Sequence, residues 1–161
     1  MILRNLFGKN LSDKYFLLLR HEEYYFNNNN KILEKVYNLR KSKLGVKIGF
    51  DFPKNVISSG VSTPHLGSRI ISSNAKIGKN FRVYVDVQIG SKNEKAPVIG
   101  DNVYIGPGAK LYGDIYIADN IKIGANSVVN RSFTEVGITI AGVPAKKVKD
   151  KTPPHPNTTF I

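Results

Sequence analysis

Three histidines, His21, His65 and His155, are the only side chains in this 161-residue chain that titrate near neutrality. An imidazole has a reference pKa of about 6.5, so it can take a proton from a hydroxyl at neutral pH. The three lie far apart in sequence and never four residues apart, which excludes a helical His pair around a metal ion. Cysteine is absent. That removes a thiolate nucleophile, a disulfide framework, a zinc finger and an iron–sulfur cluster together. Four lysines, Lys146, Lys147, Lys149 and Lys151, crowd a short stretch near the end of the sequence. Such a group suits a ligand carrying several phosphates, or is a solvated tail.

The net charge of +12 invites a nucleic-acid reading. Divided along the chain, residues 1–50 carry +6, residues 51–143 carry +3 and residues 144–161 carry +3. The ends are basic and the middle is nearly balanced. No finger, helix-turn-helix or basic-aromatic cluster accompanies the charge, so no nucleic-acid partner is expected. For the surplus in the first fifty residues two partners are open, an anionic membrane surface and an acidic glycan. Hydrophobic residues make up 41% of the chain, enough for a packed core. Apolar runs stay at about five residues, as in Tyr15–Leu19, so neither a span nor a secretory signal is expected and the cytoplasm is the default.

What positions these side chains is legible from periodicity. The first 45 residues read as helical, with Leu11, Tyr15, Leu18, Leu19, Tyr25 and Phe26 near one face and Ser12 as N-cap. Asn27–Asn30 mark a polar break. Ile32, Leu33, Val36, Tyr37, Leu39 and Leu44 give a second apolar face, with Gly45 as a stop. Two such helices must dock on the rest of the chain or on a neighbouring subunit. After Gly45 the period becomes six. Ile71, Ile77, Val83 and Ile89 are followed, after four inserted residues, by Ile99, Ile105, Leu111, Ile117, Ile123 and Val129. Four places after the aliphatic comes a second inward candidate: Ala75, Phe81, Val87, Val103, Ala109, Ile115, Ile121 or Ser127. A helix cannot keep a period of six, whereas a short strand plus a turn can. Three hexads make one triangular coil of eighteen residues, and stacked coils set like residues over like. Asn80, Asn102 and Asn120 fall in the corners, where short amides tolerate unusual backbone angles.

The hexads of the form [Ile/Val/Leu]-Gly-x-x-small-x, closed by Ile140-Ala141-Gly142-Val143-Pro144-Ala145-Lys146, resemble the hexapeptide-repeat acyltransferases. Within that family, Gly49–Val148 most resembles the serine acetyltransferases and their short relatives that O-acetylate polysaccharides or their precursors. The resemblance is carried by Pro64-His65-Leu66-Gly67, by Asn74-Ala75-Lys76-Ile77-Gly78 and by the run from Ala96 to Lys110. It implies an all-β fold, a left-handed parallel β-helix, over residues 46–143. A helical arm at 1–45 would precede it and a basic tail at 144–161 would follow. It also implies acetyl-coenzyme A as co-substrate, no metal, and a homotrimer with active sites between neighbours.

The same resemblance distributes roles. His65 aligns with the catalytic base, and Asp51 corresponds to the carboxylate that orients it if one residue is deleted before His65. Tyr104 and Gly106 would line the pantetheine, and Ala125 would expose backbone groups to its amides. Asn130, Arg131, Lys146 and Lys149 would lie near the adenosine phosphates. Three positions depart from the pattern. Pro64 replaces the Asp that precedes the base in serine acetyltransferases, Ala96 replaces their second His, and Tyr84 replaces a His of many short relatives. These departures, with the short arm, put a sugar or polysaccharide-precursor hydroxyl first as acceptor. Serine is the alternative, with terminal Ile161 as a slight pointer, and a non-catalytic binding scaffold is the third reading.

Overall fold

The computed structural model describes residues 11–150; Lys151, His155 and Ile161 lie outside the described residues. Among the described residues two helices, α1 (Leu11–Asn27) and α2 (Lys31–Ile48), precede thirteen short strands. The polar break falls where the amides predict it. Asn29 takes φ 58°, and the Asn30 side chain caps α2 by accepting from Leu33 N at 3.1 Å. Ser12 differs from expectation: it is buried inside the first turn of α1. Gly45 differs too. It lies within α2, where a Cβ would stand 2.5 Å from Phe50 O and 3.1 Å from the Tyr15 ring, so close packing explains the glycine there. The stop is Gly49, left-handed at φ 79°, whose N–H donates to Gly45 O at 2.8 Å.

The helices dock on the start of the coil region. Tyr15 and Phe16 of α1 interlock with Phe50 and Phe52, ring centroids 5.1 to 6.0 Å apart and mostly edge to face. In α2 the inward line is Lys41, Gly45 and Ile48, with half-buried Leu33, Tyr37 and Leu44. Ile32, Val36 and Leu39, expected inward, are exposed instead. Both lines have helical spacing, and the aromatic cluster with α1 decides which one is covered.

The rest is a parallel β-solenoid of about five turns with three sheets. One holds β1 (Phe50–Asp51), β2 (Arg69–Ile71), β5 (Val87–Gly90), β8 (Lys110–Tyr112) and β11 (Val128–Val129), in that order. A second runs β4 (Arg82–Val83), β7 (Tyr104–Ile105), β10 (Lys122–Ile123), β12 (Thr139–Gly142) and β13 (Ala145–Lys149). The third is β3 (Lys76–Ile77), β6 (Val98–Ile99) and β9 (Tyr116–Ile117). Tyr104 pairs with Lys122 and Lys110 with Val128, eighteen residues on in each case. Lys76 pairs with Val98, twenty-two on, so the four inserted residues are accommodated after β5, where Lys92 and Lys95 close a small antiparallel bridge.

All ten hexad aliphatics are at most 3% exposed, and their second-slot partners are buried as well. A fully buried aliphatic of this size stabilises by about 1.5–3 kcal/mol, so this column is the main source of stability in the coils. Asn80, Asn102 and Asn120 take φ of 55°, 58° and 60° at their corners, as expected. The basic stretch after residue 143 enters the second sheet as β13, antiparallel to β12. Among the described residues no helix is long and apolar enough to cross a membrane.

Candidate active site

His65 sits in the corner between the second and first sheets, in the first coil. Ser62 pairs with Arg82 and Arg69 with Val87. Seven steps of chain therefore lie over five in the next coil, and this corner bulges by two residues. The surplus brings His65, Leu66 and Ser68 out to solvent while Arg69 returns to the interior. Arg69 is fully buried. Its Nη2 donates to His65 O at 2.6 Å, Nη1 to Gly67 O at 3.1 Å and Nε to Val83 O at 3.2 Å. The guanidinium also lies 4.8 Å over the Phe50 ring. Burial pulls its pKa down to about 10.

Arg69 is the site-forming residue the sequence reading passed over, and a signal for it existed. Val87 is a second-slot residue, and one coil of eighteen upstream of Val87 is position 69. An arginine in an inward slot is the anomaly. The column it begins continues with Val87, Ala109 and Ser127, small or apolar above it.

From His65 a ladder of rings climbs the same edge of the prism. His65 and Tyr84 have centroids 5.9 Å apart, and Tyr84 and Tyr104 5.4 Å apart, each pair tilted by 56°. Arg82 Nη2 donates to Tyr84 Oη at 3.1 Å and holds that ring from the side. Burial pushes the Tyr104 hydroxyl above its ordinary pKa, and the neighbouring Tyr84 adds to this. Tyr104 leads directly to Ile105 and Gly106. Gly106 carries no side chain for a visible reason, since a Cβ would stand 2.8 Å from Ala125 N and 3.0 Å from Gly124 C. Ala125 is exposed at the corner of the next coil. Beside this edge, β13 carries exposed Lys146 opposite Ala141, and Lys149 opposite Thr139. Lys147 is tied to Glu135 and Asp150 in ion pairs.

His65, Tyr104, Gly106 and Ala125 thus share one edge, with Lys146 and Lys149 near its far end. Asn130 and Arg131 do not. They follow β11 at a different corner, exposed, with the Arg131 guanidinium 5.2 Å over the Phe133 ring. Asp51 is exposed on β1, opposite Ile70 in the ladder, and no hydrogen bond or ion pair joins it to His65. Ala96 is buried in the excursion after β5. The hollows on the helical arm, lined by Tyr25, Phe26, Lys35 and Leu39 among others, contain none of these residues. They lie beside the helices, away from the edge that carries His65 and Tyr104.

Comparison with known proteins meets this geometry at the repeat. Residues 96–131 match the family described as bacterial transferase hexapeptide (six repeats). Over this stretch the chain carries the hexapeptide repeat of that family. The hexapeptide region is similar to a serine acetyltransferase of Staphylococcus epidermidis, 40% identical over 86 residues, which is 51% of this chain and 40% of that protein. A serine acetyltransferase of Staphylococcus aureus is also 40% identical, over 84 residues. The chain spans about two fifths of the length of these curated relatives. Among solved structures, the Neisseria gonorrhoeae serine acetyltransferase in complex with serine is similar at TM-score 0.70 and 27% identity, covering 90% of this chain and 59% of that one. A serine acetyltransferase complexed with coenzyme A is similar at TM-score 0.73 and 25% identity, covering 86% and 57%. The solenoid and its helical arm are therefore shared with hexapeptide-repeat serine acetyltransferases over most of this chain.

Proposed function

We propose that this hexapeptide-repeat protein is an acetyl-coenzyme A-dependent O-acetyltransferase with His65 as general base and the hydroxyl of serine as acceptor. The observation that carries the reading is the common edge on which His65, Tyr84, Tyr104 with Gly106, and Ala125 lie in four successive coils. A thioester delivered along that edge would meet the imidazole at its lower end. The acceptor oxygen attacks the thioester carbonyl carbon while His65 takes the hydroxyl proton. The tetrahedral intermediate then expels the coenzyme thiolate, breaking the C–S bond. The thiolate takes the proton from His65, leaving an O-acetyl ester and a free thiol. Exposed Lys146 and Lys149 supply positive charge where the coenzyme phosphates would run.

Serine is preferred as acceptor because the similar proteins named above are serine acetyltransferases, two of them solved with serine or coenzyme A. This displaces the sugar hydroxyl that sequence alone put first. The sugar reading keeps one specific support. Pro64, Tyr84 and Ala96 stand where the serine enzymes or their short relatives carry Asp or His. Asn130 and Arg131 fall at another corner from Gly106, so the two groups can serve one coenzyme only if two copies meet. A homotrimer with sites between neighbours follows as part of the proposal. In such an assembly Asp51 would be free to reach an imidazole it does not touch within the protomer.

The deciding experiment measures thiol release from acetyl-coenzyme A with L-serine and with a panel of sugars, beside His65→Ala. Turnover with serine that collapses in His65→Ala supports the proposal. Turnover with sugars alone transfers it to the second reading, and no turnover with any acceptor favours a scaffold.

A further inference from the structure

The loop that presents His65 has an unusual support. Its corner is two residues longer than the corner stacked on it. Carbonyl groups of such a bulge lose their ladder partners and need others. Arg69 supplies two from inside, donating to His65 O and Gly67 O, while its Nε donates to Val83 O of the next coil. Among the described residues no carboxylate pairs with it, and its side chain is closed off from solvent. An arginine buried without a counter-charge is an expensive way to fill a slot that a valine, an alanine and a serine occupy in the coils above. The lowered pKa of this guanidinium has the same origin. The loop is held from the other side as well, since Gly67 N donates to Ile48 O at 3.1 Å and Arg69 N to Gly49 O at 2.7 Å. Phe50, against which the guanidinium stacks, belongs to the aromatic cluster that docks α1.

We propose that Arg69 is a positioning residue: by binding the His65 and Gly67 carbonyls from within the coil, it holds the bulged corner so that the imidazole faces the acceptor hydroxyl. This rests on His65 being the base. Two constraints then define the imidazole. Arg69 holds its main chain, and the Tyr84 ring, steadied by Arg82, limits its side-chain swing. The three-point fork requires a planar guanidinium. A lysine keeps the charge with a single compact donor group and cannot span three carbonyls in the same geometry.

The test compares Arg69→Lys and Arg69→Met with the parent and with His65→Ala. Thiol release from acetyl-coenzyme A with L-serine is measured together with amide hydrogen exchange at Gly67 and at Ile123. Both Arg69 variants are expected to lose kcat by roughly tenfold to a hundredfold, as for a reacting group displaced by an ångström. The KM for acetyl-coenzyme A stays within about twofold, because the coenzyme edge is untouched. Exchange at Gly67 accelerates while Ile123 in the coil core stays protected. Parent-like kcat in Arg69→Lys, or unchanged exchange at Gly67, overturns the role. The reading beneath it fails differently: activity surviving in His65→Ala removes the base, whereas loss in His65→Ala beside full turnover in the Arg69 variants removes Arg69 alone. If Arg69→Met does not fold, Arg69→Lys decides. If serine is not turned over, Gly67 exchange decides.

Discussion

The Tyr15 hydroxyl, fully enclosed between α1 and the first coil, accepts a hydrogen bond from Phe52 N at 3.0 Å across thirty-seven residues of sequence. It closes the aromatic cluster that joins the arm to the solenoid, and Lys41 Nζ donates to the carbonyl of the same Phe52 at 3.2 Å. Tyr15→Phe keeps the rings and strands the Phe52 N–H. The expected loss is about 1–3 kcal/mol, the cost of a buried donor left without a partner. A urea midpoint lowered at unchanged slope is the measurement that checks it; an unchanged midpoint would show that the bond adds nothing.

The same tyrosine makes stability depend on alkaline pH. Burial pushes its hydroxyl well above the usual tyrosine range, with the Phe52 hydrogen bond opposing more weakly. The folded state therefore keeps this proton longer than the unfolded state does. Its contribution is full below about pH 10 and is lost as pH rises beyond that. Arg69, pulled down to about 10, acts with the opposite sign, because its penalty is relieved once it deprotonates. The two are separated by difference: between pH 9 and pH 11 (a window of about two units around the tyrosine reference value), parent stability should fall relative to Tyr15→Phe. Parallel curves would refute the assignment.

Lys41 and Glu22 form an ion pair of 2.6 Å, with side chains 9% and 1% exposed, and Asn38 Nδ2 donates to the other carboxylate oxygen at 2.7 Å. Removing one partner leaves a charge in the interior of the helical arm. Lys41→Met should cost about 3–5 kcal/mol. The double replacement Glu22→Met with Lys41→Met should recover much of that loss. A thermal-melt comparison of the single and double variants reads the coupling.

The corners stack through aspartates. Asp119 Oδ1 accepts from Asp101 N at 2.7 Å and lies where a Cβ on Gly100 would be, 2.1 Å away. Gly100→Ala must push that carboxylate out and break the bond, for an expected loss of about 1–3 kcal/mol. At Asn102, with φ 58°, replacement by Ala should cost about 1–2 kcal/mol, because a Cβ without a local hydrogen-bonding amide disfavours this backbone. Replacement by Gly should cost much less. Denaturant titrations of the three variants give the order.

Lys146 and Lys147 are adjacent, yet only Lys147 is engaged by Glu135 and Asp150. If the lysines of β13 attract the coenzyme phosphates, Lys146→Glu should raise the KM for acetyl-coenzyme A by about three- to tenfold at low salt, less at high salt, with kcat retained. Lys147→Glu should have the smaller effect on KM. Equal effects would point to general charge.

Sequence alone determined the solenoid and its corners, because each of its contacts repeats. A residue such as Ile105 packs on Val83 below and Ile123 above in the same register, so a period of six already states its surroundings. The asparagines of the turns are legible for the same reason, since their backbone angles are set within the corner itself. His65 stands out as the candidate base from its motif and its isolation from other histidines, and its role is part of the proposal.

Tertiary structure decided everything resting on contacts that occur once. Which stripe of α2 is buried, and why Gly45 is glycine inside a helix, depends on Tyr15 and Phe50 arriving from elsewhere in the chain. That Asn130 and Arg131 turn a different corner from Gly106 follows from the order of the three sheets. The capture of the His65 carbonyl by Arg69 required both the two-residue bulge and an arginine turned inward. A periodic pattern fixes only what is repeated, and a single long-range packing event leaves no period to read.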